Sequence, residues 1–419
     1  MNKPTFLLSG PIETHSGYGA RCRDIAKAII DSNEYDLQII SQRWGNTPFG
    51  FLDISNPDHL AIKRRIIDQT QIKQKPYIWA QCTIPSEFIC VGEYNIGITA
   101  GIETTICDVS WLEGINRMDV TFTSSKHSLD VFNNSTFNRV DAQGKIIEEI
   151  KAIKPIEVLF EGINTAIYSK TTIKTEVSEV LDTINEEFCF LFVGHWLQGD
   201  IGQDRKDVGM LIKTFLDTFK GKPKKPALIV KTNGATYSTL DREEILEKIE
   251  KIKKFVGGNL PKIYLLHGEF TDVEMNEIYN HDKIKAMVSF TKGEGFGRPL
   301  LEFSVTNKPI IVPNYSGYLD FLKHSILLPG TLKQVHKNAC VPNMILAESQ
   351  WFEVDYKNAE NALSTVYNNY KDFLGASKKQ SYLSTKEFSL EKMQELFITK
   401  IHEYVPQQVE LALPKLIAI

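Results

Sequence analysis

Hydrophobic and polar positions along this chain form two alternating kinds of segment. Short runs rich in β-branched and aromatic residues predict buried strands, and the longer stretches between them have apolar residues at helical spacing. Strands that alternate with helices predict a parallel sheet with crossover helices. The alternation occurs in two separate series, so the pattern predicts an α/β protein with two doubly wound, Rossmann-like domains that face each other across a cleft.

The predicted strands divide the chain into these two series. The first series comprises residues 5–9, 36–40, 77–80, 119–123 and 156–160. The second series comprises residues 188–194, 227–231, 263–266, 284–290 and 308–312. The polar stretch 168–187 separates them, so the predicted domains are 1–170 and 171–385. Residues 386–419 include an amphipathic helical pattern, and we expect this segment to cross back and pack toward the first domain.

The composition narrows the class of protein. The chain has 419 residues, of which 42% are hydrophobic and 24% charged, and a formal net charge of -4, so binding of nucleic acid through a basic surface is not indicated. Its six cysteines form no C-x-x-C pair, which is typical of reduced thiols in a cytoplasmic protein. No apolar run approaches the roughly 20 residues of a transmembrane helix.

The segment 293–302 carries the strongest chemical signal. It has three glycines in five residues and two glutamates, Glu294 and Glu302, and it lies between a predicted strand and a predicted helix over 298–306. Glycines let the backbone pass close to a ligand, and a helix N-terminus directs unpaired N–H groups toward an anion. Carboxylates accept hydrogen bonds from sugar and ribose hydroxyls. The segment therefore predicts a nucleotide-sugar site, although an ordinary glycine turn before a solvated helix would share the pattern.

The first loop of each domain carries further candidates. Gly17 and Gly19 precede a predicted helix, but a dinucleotide fingerprint needs a third glycine where this chain has Cys22, so we predict no cofactor. In the second domain, Arg205 and Lys206 lie at a predicted helix start, where the helix dipole disfavours cations. An anionic ligand such as a leaving diphosphate explains their position.

Four segments share a pattern with one known family: residues 16–19, 116–125, 161–165, and parts of 266–311 around the glycine loop. In this order they resemble the retaining glycosyltransferases of family four, which have the GT-B fold, and the resemblance covers most of the chain. It implies transfer of a sugar from a nucleotide-diphosphate sugar, bound by residues 171–385, to an acceptor hydroxyl on the side of residues 1–170.

The resemblance also implies residue roles. Glu302 would bind the ribose, and Glu294 would contact the transferred sugar. Lys206, with Arg205, would hold the diphosphate, which the glycines of the first loop would approach on closure. The implied donor-binding residues are Gly17, Gly19, His195, Arg205, Lys206, Gly295, Phe296, Gly297 and Glu302, and the catalytic candidates are Glu294, Glu103 and Lys206.

The chain departs from the family pattern in two places. Many members have an arginine where this chain has His195, so the second diphosphate cation is His195 or Arg205. Members often place a histidine near the scissile bond, and residues 77–85 contain none. Glu103 is the substitute, as a group that orients the acceptor or the sugar, with a surface or capping glutamate as the alternative. His15 and His127 flank the predicted cleft, where a structural role is the alternative for each.

The resemblance implies front-face transfer with retention. Because the sequence has no Asp-x-Asp motif, we predict metal-independent activity in which Arg and Lys neutralise the diphosphate. A nucleotide-sugar epimerase and a non-catalytic sugar-binding protein are the alternatives. The segments 95–105 and 194–200 also look like glycosyltransferases of large tailed phages. A glycan is one candidate acceptor. If the protein is a phage enzyme that acts in the host cytoplasm, a hydroxymethylated DNA base is the other.

Overall fold

The protein contains two parallel six-stranded sheets, as the alternation of strands and helices predicts. The computed structural model describes residues 3–172, 174–196, 201–234 and 236–406. Side chains of successive strand residues enter different hydrophobic clusters; for example, Leu191 and Phe192 belong to two separate clusters of the second sheet. This alternation shows that the sheet is buried on both faces, as in a doubly wound fold. The predicted fold class is confirmed.

The first sheet is formed by the amino-terminal part of the chain. Its strands are β1 (Thr5–Gly10), β2 (Asp36–Ser41), β3 (Ile78–Cys82), β4 (Tyr94–Thr99) and β5 (Val120–Thr123), while β6 (Phe137–Val140) and β7 (Ile146–Ile150) form a separate hairpin and β8 (Ile156–Val158) completes the sheet. The order is β2-β1-β3-β4-β5-β8, so the direction of winding reverses between β1 and β3. The helices are α1 (Gly17–Ser32), α2 (Pro57–Lys63), α3 (Val109–Arg117) and α4 (Lys126–Asn134).

The second sheet repeats this plan. Its strands are β9 (Cys189–Val193), β10 (Ala227–Lys231), β11 (Ile263–Leu266), β12 (Ile284–Val288), β13 (Ile310–Pro313) and β14 (Ile326–Leu328), in the order β11-β10-β9-β12-β13-β14. The winding reverses between β9 and β12. The helices of this part are α5 (Glu176–Asp182), α6 (Val208–Phe219), α7 (Thr239–Val256), α8 (Asp272–Asn280), α9 (Arg298–Ser304), α10 (Tyr356–Asn368) and α11 (Tyr370–Glu387).

A hairpin outside both sheets follows β14. It consists of β15 (Gly330–Gln334), a connecting loop and β16 (Gln350–Val354), paired antiparallel, and we call residues 330–354 the strap. Trp351 and Phe352 are buried, whereas residues 331–334 are exposed. The strap therefore packs against the rest of the protein through β16, while β15 is largely exposed.

The chain crosses from one domain to the other twice, and the two crossing segments lie side by side. Ile163 donates its N–H to the Phe388 carbonyl (2.8 Å) and accepts from the Leu390 N–H (2.8 Å), so the two crossings pair side by side. Gly162 is required there, since a Cβ at this position would lie 2.5 Å from Leu390 Cα. After the second crossing, α12 (Leu390–Tyr404) packs on the first sheet, where Met393, Phe397 and Ile401 join its core. In the part of the chain that the structure describes, no helix has the length and apolar character that a bilayer crossing needs.

Candidate functional site

Both glycine-rich loops lie at points where a sheet reverses its winding. The loop after β1 leads into α1 at the β1/β3 switch, and the loops after β9 and β12 lie at the β9/β12 switch. In doubly wound sheets the crevice at such a switch, outside the carboxyl ends of the strands, is where ligands bind. The topology thus brings the candidate residues of the second domain to one edge of its sheet.

The Glu294 carboxylate is held by two cations. Lys206 Nζ forms an ion pair with Glu294 Oε1, and Arg205 Nη1 lies 3.2 Å from Oε2. Burial raises the pKa of Glu294, but the charges of Lys206 and Arg205 outweigh it and lower the pKa to about 2. All three side chains are mostly buried, which strengthens their attraction. The sequence prediction placed these residues at one site, and the structure brings them together.

A buried ion pair supports the loop of Arg205. Lys292 Nζ lies 3.6 Å from Asp207 Oδ1, and neither side chain is more than 1% exposed. The Lys292 N–H also donates to the Arg205 carbonyl (2.8 Å). Burial raises the pKa of Asp207 to about 7, against the lowering effect of Lys292. Arg205 is thus anchored by its own backbone as well as by its charge partners.

Glu103 reaches the same group from the first domain. Its Oε1 lies 3.5 Å from Arg205 Nη1. The backbones of the two domains also meet here, because a Cβ on Gly293 would lie 2.0 Å from the Glu103 carbonyl oxygen, and one on Gly295 would lie 2.1 Å from that of Ala100. The glycines therefore let the two walls of the cleft touch, a use that the motif alone did not indicate.

Glu302 lies apart from this group, in a buried network. It accepts a hydrogen bond from Tyr279 Oη (3.1 Å), and its Oε1 lies 3.4 Å from Arg298 Nε. Burial raises the pKa of Glu302 to about 8, against the lowering effect of Arg298. Arg298 continues to the first domain, where its Nη1 lies 2.7 Å from Asp24 Oδ2 and 3.7 Å from Glu161 Oε2. The sequence analysis did not predict this interdomain contact. Arg298 could have indicated it, because a cation at the first residue of a helix is disfavoured by the helix dipole and needs an anionic partner.

The helix over the second half of the motif begins as predicted. Gly297 has φ +97, a left-handed conformation that glycine adopts without strain, and Pro299 lies in the first turn of α9. No side chain caps this helix, so its N–H groups face the site. The Phe296 side chain is buried against Phe321, with ring centroids 4.9 Å apart, which leaves only its backbone for a ligand.

The glycines of the first loop differ in their surroundings. A Cβ on Gly17 would meet nothing within 4 Å, whereas one on Gly19 would lie 2.4 Å from the Thr14 carbonyl oxygen. The Gly19 N–H donates to Ser16 Oγ (2.9 Å). Gly17 is therefore the better candidate for contact with a phosphate, and Gly19 serves packing.

The three histidine candidates have separate surroundings. His195 is exposed, but surrounding protein atoms and the charges of Lys206 and Lys231 lower its pKa to about 4, which favours Arg205 as the second diphosphate cation. His15 Nδ1 lies 3.6 Å from Glu269 Oε1 across the cleft. Burial lowers the pKa of His127 to about 4, and its ring packs edge-on against Tyr315. Neither His15 nor His127 contacts the Glu294 group through a described hydrogen bond or ion pair.

Solved structures with the same fold match this chain over nearly its full length. The HepE protein of Anabaena, in complex with UDP-glucose, has a TM-score of 0.61 at 11% identity over 95% of this chain and 99% of its own. Sucrose-phosphate synthase from Thermosynechococcus elongatus has a TM-score of 0.63 at 10% identity over 96% and 99%. An E. coli structure described as trehalose-6-phosphate bound with UDP-2-fluoro glucose has a TM-score of 0.61 at 11% identity over 97% and 100%. No family model and no curated protein sequence matches the chain. At these identities the similarity establishes the GT-B fold, with its two Rossmann-like domains.

Proposed function

We propose that the protein is a retaining glycosyltransferase that moves a sugar from a nucleotide-diphosphate sugar to an acceptor hydroxyl. The observation that carries the proposal is the ion group of Glu294, Lys206 and Arg205 at the switch point of the second sheet. It places two cations and a carboxylate at the carboxyl ends of β9 and β12, beside an uncapped helix. The HepE protein of Anabaena, which has the same fold, was solved in complex with UDP-glucose, and this supports a UDP-sugar as the first donor to test.

The residues supply charge and position in this proposal. Lys206 and Arg205 turn from Glu294 to the diphosphate and stabilise the charge that grows on it as the glycosyl bond breaks. Glu294 then accepts hydrogen bonds from the hydroxyls of the sugar. In front-face transfer, the acceptor oxygen bonds to the anomeric carbon on the side that the diphosphate leaves, and a phosphate oxygen takes the acceptor proton. This front-face path retains the configuration of the anomeric carbon. The proposal needs no metal, because the two cations already provide positive charge at this position.

The acceptor enters from the first domain. Glu103 of that domain lies 3.5 Å from Arg205, and we assign it to orient the acceptor or the sugar. The acceptor classes are a glycan hydroxyl and a hydroxymethylated DNA base, the latter from the similarity to phage enzymes. Part of that similarity, residues 197–200, lies outside the described residues.

A donor assay tests the function directly. UDP, GDP and ADP are compared as ligands by thermal shift, and the matching nucleotide sugars are then incubated with glycan and DNA acceptors in the presence of a chelator. We expect one nucleotide to stabilise the protein, and transfer to proceed in the chelator with the anomeric configuration unchanged by NMR. Complete loss of transfer that added metal restores would contradict the metal-independent mechanism. Conversion of the nucleotide sugar without any acceptor would instead identify an epimerase.

A further inference from the structure

The strap contacts the loop that carries Glu103, although the two belong to different domains. The Thr105 N–H donates to the Gln350 carbonyl (3.0 Å), and the Gln350 N–H donates to Thr105 Oγ1 (2.9 Å). A second contact lies further along the strap, where Trp111 Nε1–H donates to the Asn343 carbonyl (2.7 Å). The strap thus holds both the loop before α3 and the helix itself.

The same strand of the strap also holds the loop of Arg205. The Phe352 N–H donates to the Lys292 carbonyl (2.9 Å), and the Lys292 N–H donates to the Arg205 carbonyl (2.8 Å). The Lys292 ammonium lies 4.9 Å from the centre of the Trp351 ring. Gln350 and Phe352 of β16 therefore connect the loop of Glu103 with the loop of Arg205, and these are the loops whose side chains meet in the site.

These links form a closed circuit. It runs from Glu103 to Thr105, through β16 to Lys292, on to Arg205, and back through the guanidinium to Glu103 (3.5 Å). Side chains join the domains at two points of this circuit, where Glu103 meets Arg205 and where Thr105 Oγ1 accepts from the Gln350 N–H, and the Thr105 N–H adds a backbone link to the Gln350 carbonyl. A network in which every member has a partner fixes geometry more firmly than any one bond.

We propose that Thr105 is a positioning residue: its hydroxyl, bound to the strap, sets the Glu103 loop so that Glu103 and Arg205 meet when the cleft is closed. The inference rests on the proposed function for its effect on turnover. The Thr105 hydroxyl has no described hydrogen bond to a donor-binding residue, and the backbone link from Phe352 through Lys292 to Arg205 does not depend on it. The link therefore acts on the reaction and leaves the affinity for nucleotide unchanged.

Three matched substitutions test this role. Thr105→Val removes the acceptor oxygen with little change in shape, Thr105→Ser keeps it, and Thr331→Val makes the same chemical change at an exposed position of the strap. With UDP-glucose as the probe, we measure release of UDP, and calorimetry measures the Kd of UDP. Loss of one hydrogen bond predicts that Thr105→Val lowers kcat about tenfold. KM for UDP-glucose and Kd for UDP should stay within about twofold, and the Ser and Thr331→Val proteins should match the wild type.

Hydrogen exchange gives a second measurement that needs no activity. In Thr105→Val, amides of residues 100–106 should exchange roughly tenfold faster than in the wild type, and in Thr105→Ser they should not. Unchanged exchange in Thr105→Val, or equal defects in the Val and Ser proteins, would overturn the proposal, as would a parallel loss of UDP affinity. If the wild type neither binds UDP nor releases it from UDP-glucose, the assignment of that donor fails, while the exchange data still decide whether Thr105 fixes the loop.

Discussion

The two glutamates of the glycine motif have opposite electrostatic surroundings. Glu294 has two cations beside it and its pKa lies at about 2, whereas Glu302 is buried with Tyr279 and a more distant Arg298 and its pKa is raised to about 8. Glu294 is therefore ionised at neutral pH, and Glu302 is largely protonated. The difference shows that the motif fixes where the carboxyl groups lie, while their charge depends on burial for Glu302 and on the distant cations Lys206 and Arg205 for Glu294.

The contrast bears on the proposed roles. An ionised Glu294 competes with a diphosphate for Lys206 and Arg205, so donor binding must separate these groups. A protonated Glu302 both donates and accepts hydrogen bonds, which suits a ribose with two hydroxyls. The two residues should therefore respond differently to substitution.

Glu294→Gln should have the largest effect. The amide keeps the size of the side chain but loses its charge, and we expect UDP release from UDP-glucose to fall about 100-fold. The affinity for UDP should be equal or higher, because Lys206 and Arg205 are freed from their partner. Calorimetry with UDP measures this, and Lys206→Ala, which should weaken binding, is the control. A lower affinity for UDP in Glu294→Gln would contradict the competition.

Glu302→Ala should have a smaller effect, and mainly on binding. Loss of the ribose contact in a buried site should raise the Kd for UDP roughly tenfold, with less change in turnover at saturating donor. Glu302→Gln should bind UDP within about threefold of the wild type, because its amide resembles the neutral carboxyl group. Identical kinetic defects in Glu302→Ala and Glu294→Gln would show that the division of roles is wrong.

The smallest expected effect is a pH-dependent change in thermal stability when Glu302 is replaced by Gln. The pKa of Glu302 is near 8 in the folded protein and about 4.3 in an unfolded chain. The neutral form is favoured by folding, so its stabilising effect is complete below the unfolded pKa and is lost as the pH rises toward 8. Glu302→Gln cannot ionise and escapes this loss. Between pH 5 and pH 8, its Tm should rise relative to the wild type by roughly 3 °C in a thermal melt. If the difference in Tm between the two proteins does not change with pH, the pKa of Glu302 lies outside the range from pH 5 to pH 8.

The sequence predicted the sheets well where burial on both faces leaves a strong local pattern. Strands β10 and β11 have the predicted bounds, and β12 ends two residues before the predicted end. The predicted first series does not include β4, which spans Tyr94–Thr99 and lies at the centre of its sheet. Gly97 weakens the strand pattern, and it is needed because a Cβ there would lie 2.4 Å from the Phe88 ring.

Contacts between distant segments could not be predicted in the same way. The strap has alternating residues in β16, but nothing in that pattern indicates that Gln350 pairs with Thr105, 245 positions away. The ion pair of Arg298 and Asp24 joins residues 274 positions apart. The motifs therefore indicated the site residues, whereas the contacts of Arg298 with Asp24 and of Gln350 with Thr105 depended on the packing of the two domains.

The placement of α12 has a consequence for how the protein is made. Residues 390–405 complete the core of the first sheet, so that sheet lacks part of its apolar cover until these residues have been synthesised. Domains at the amino terminus ordinarily fold first during synthesis. Here the nascent first domain lacks part of its core until α12 has been made, and a ribosome that stalls before codon 390 would leave an exposed apolar surface for chaperones to protect.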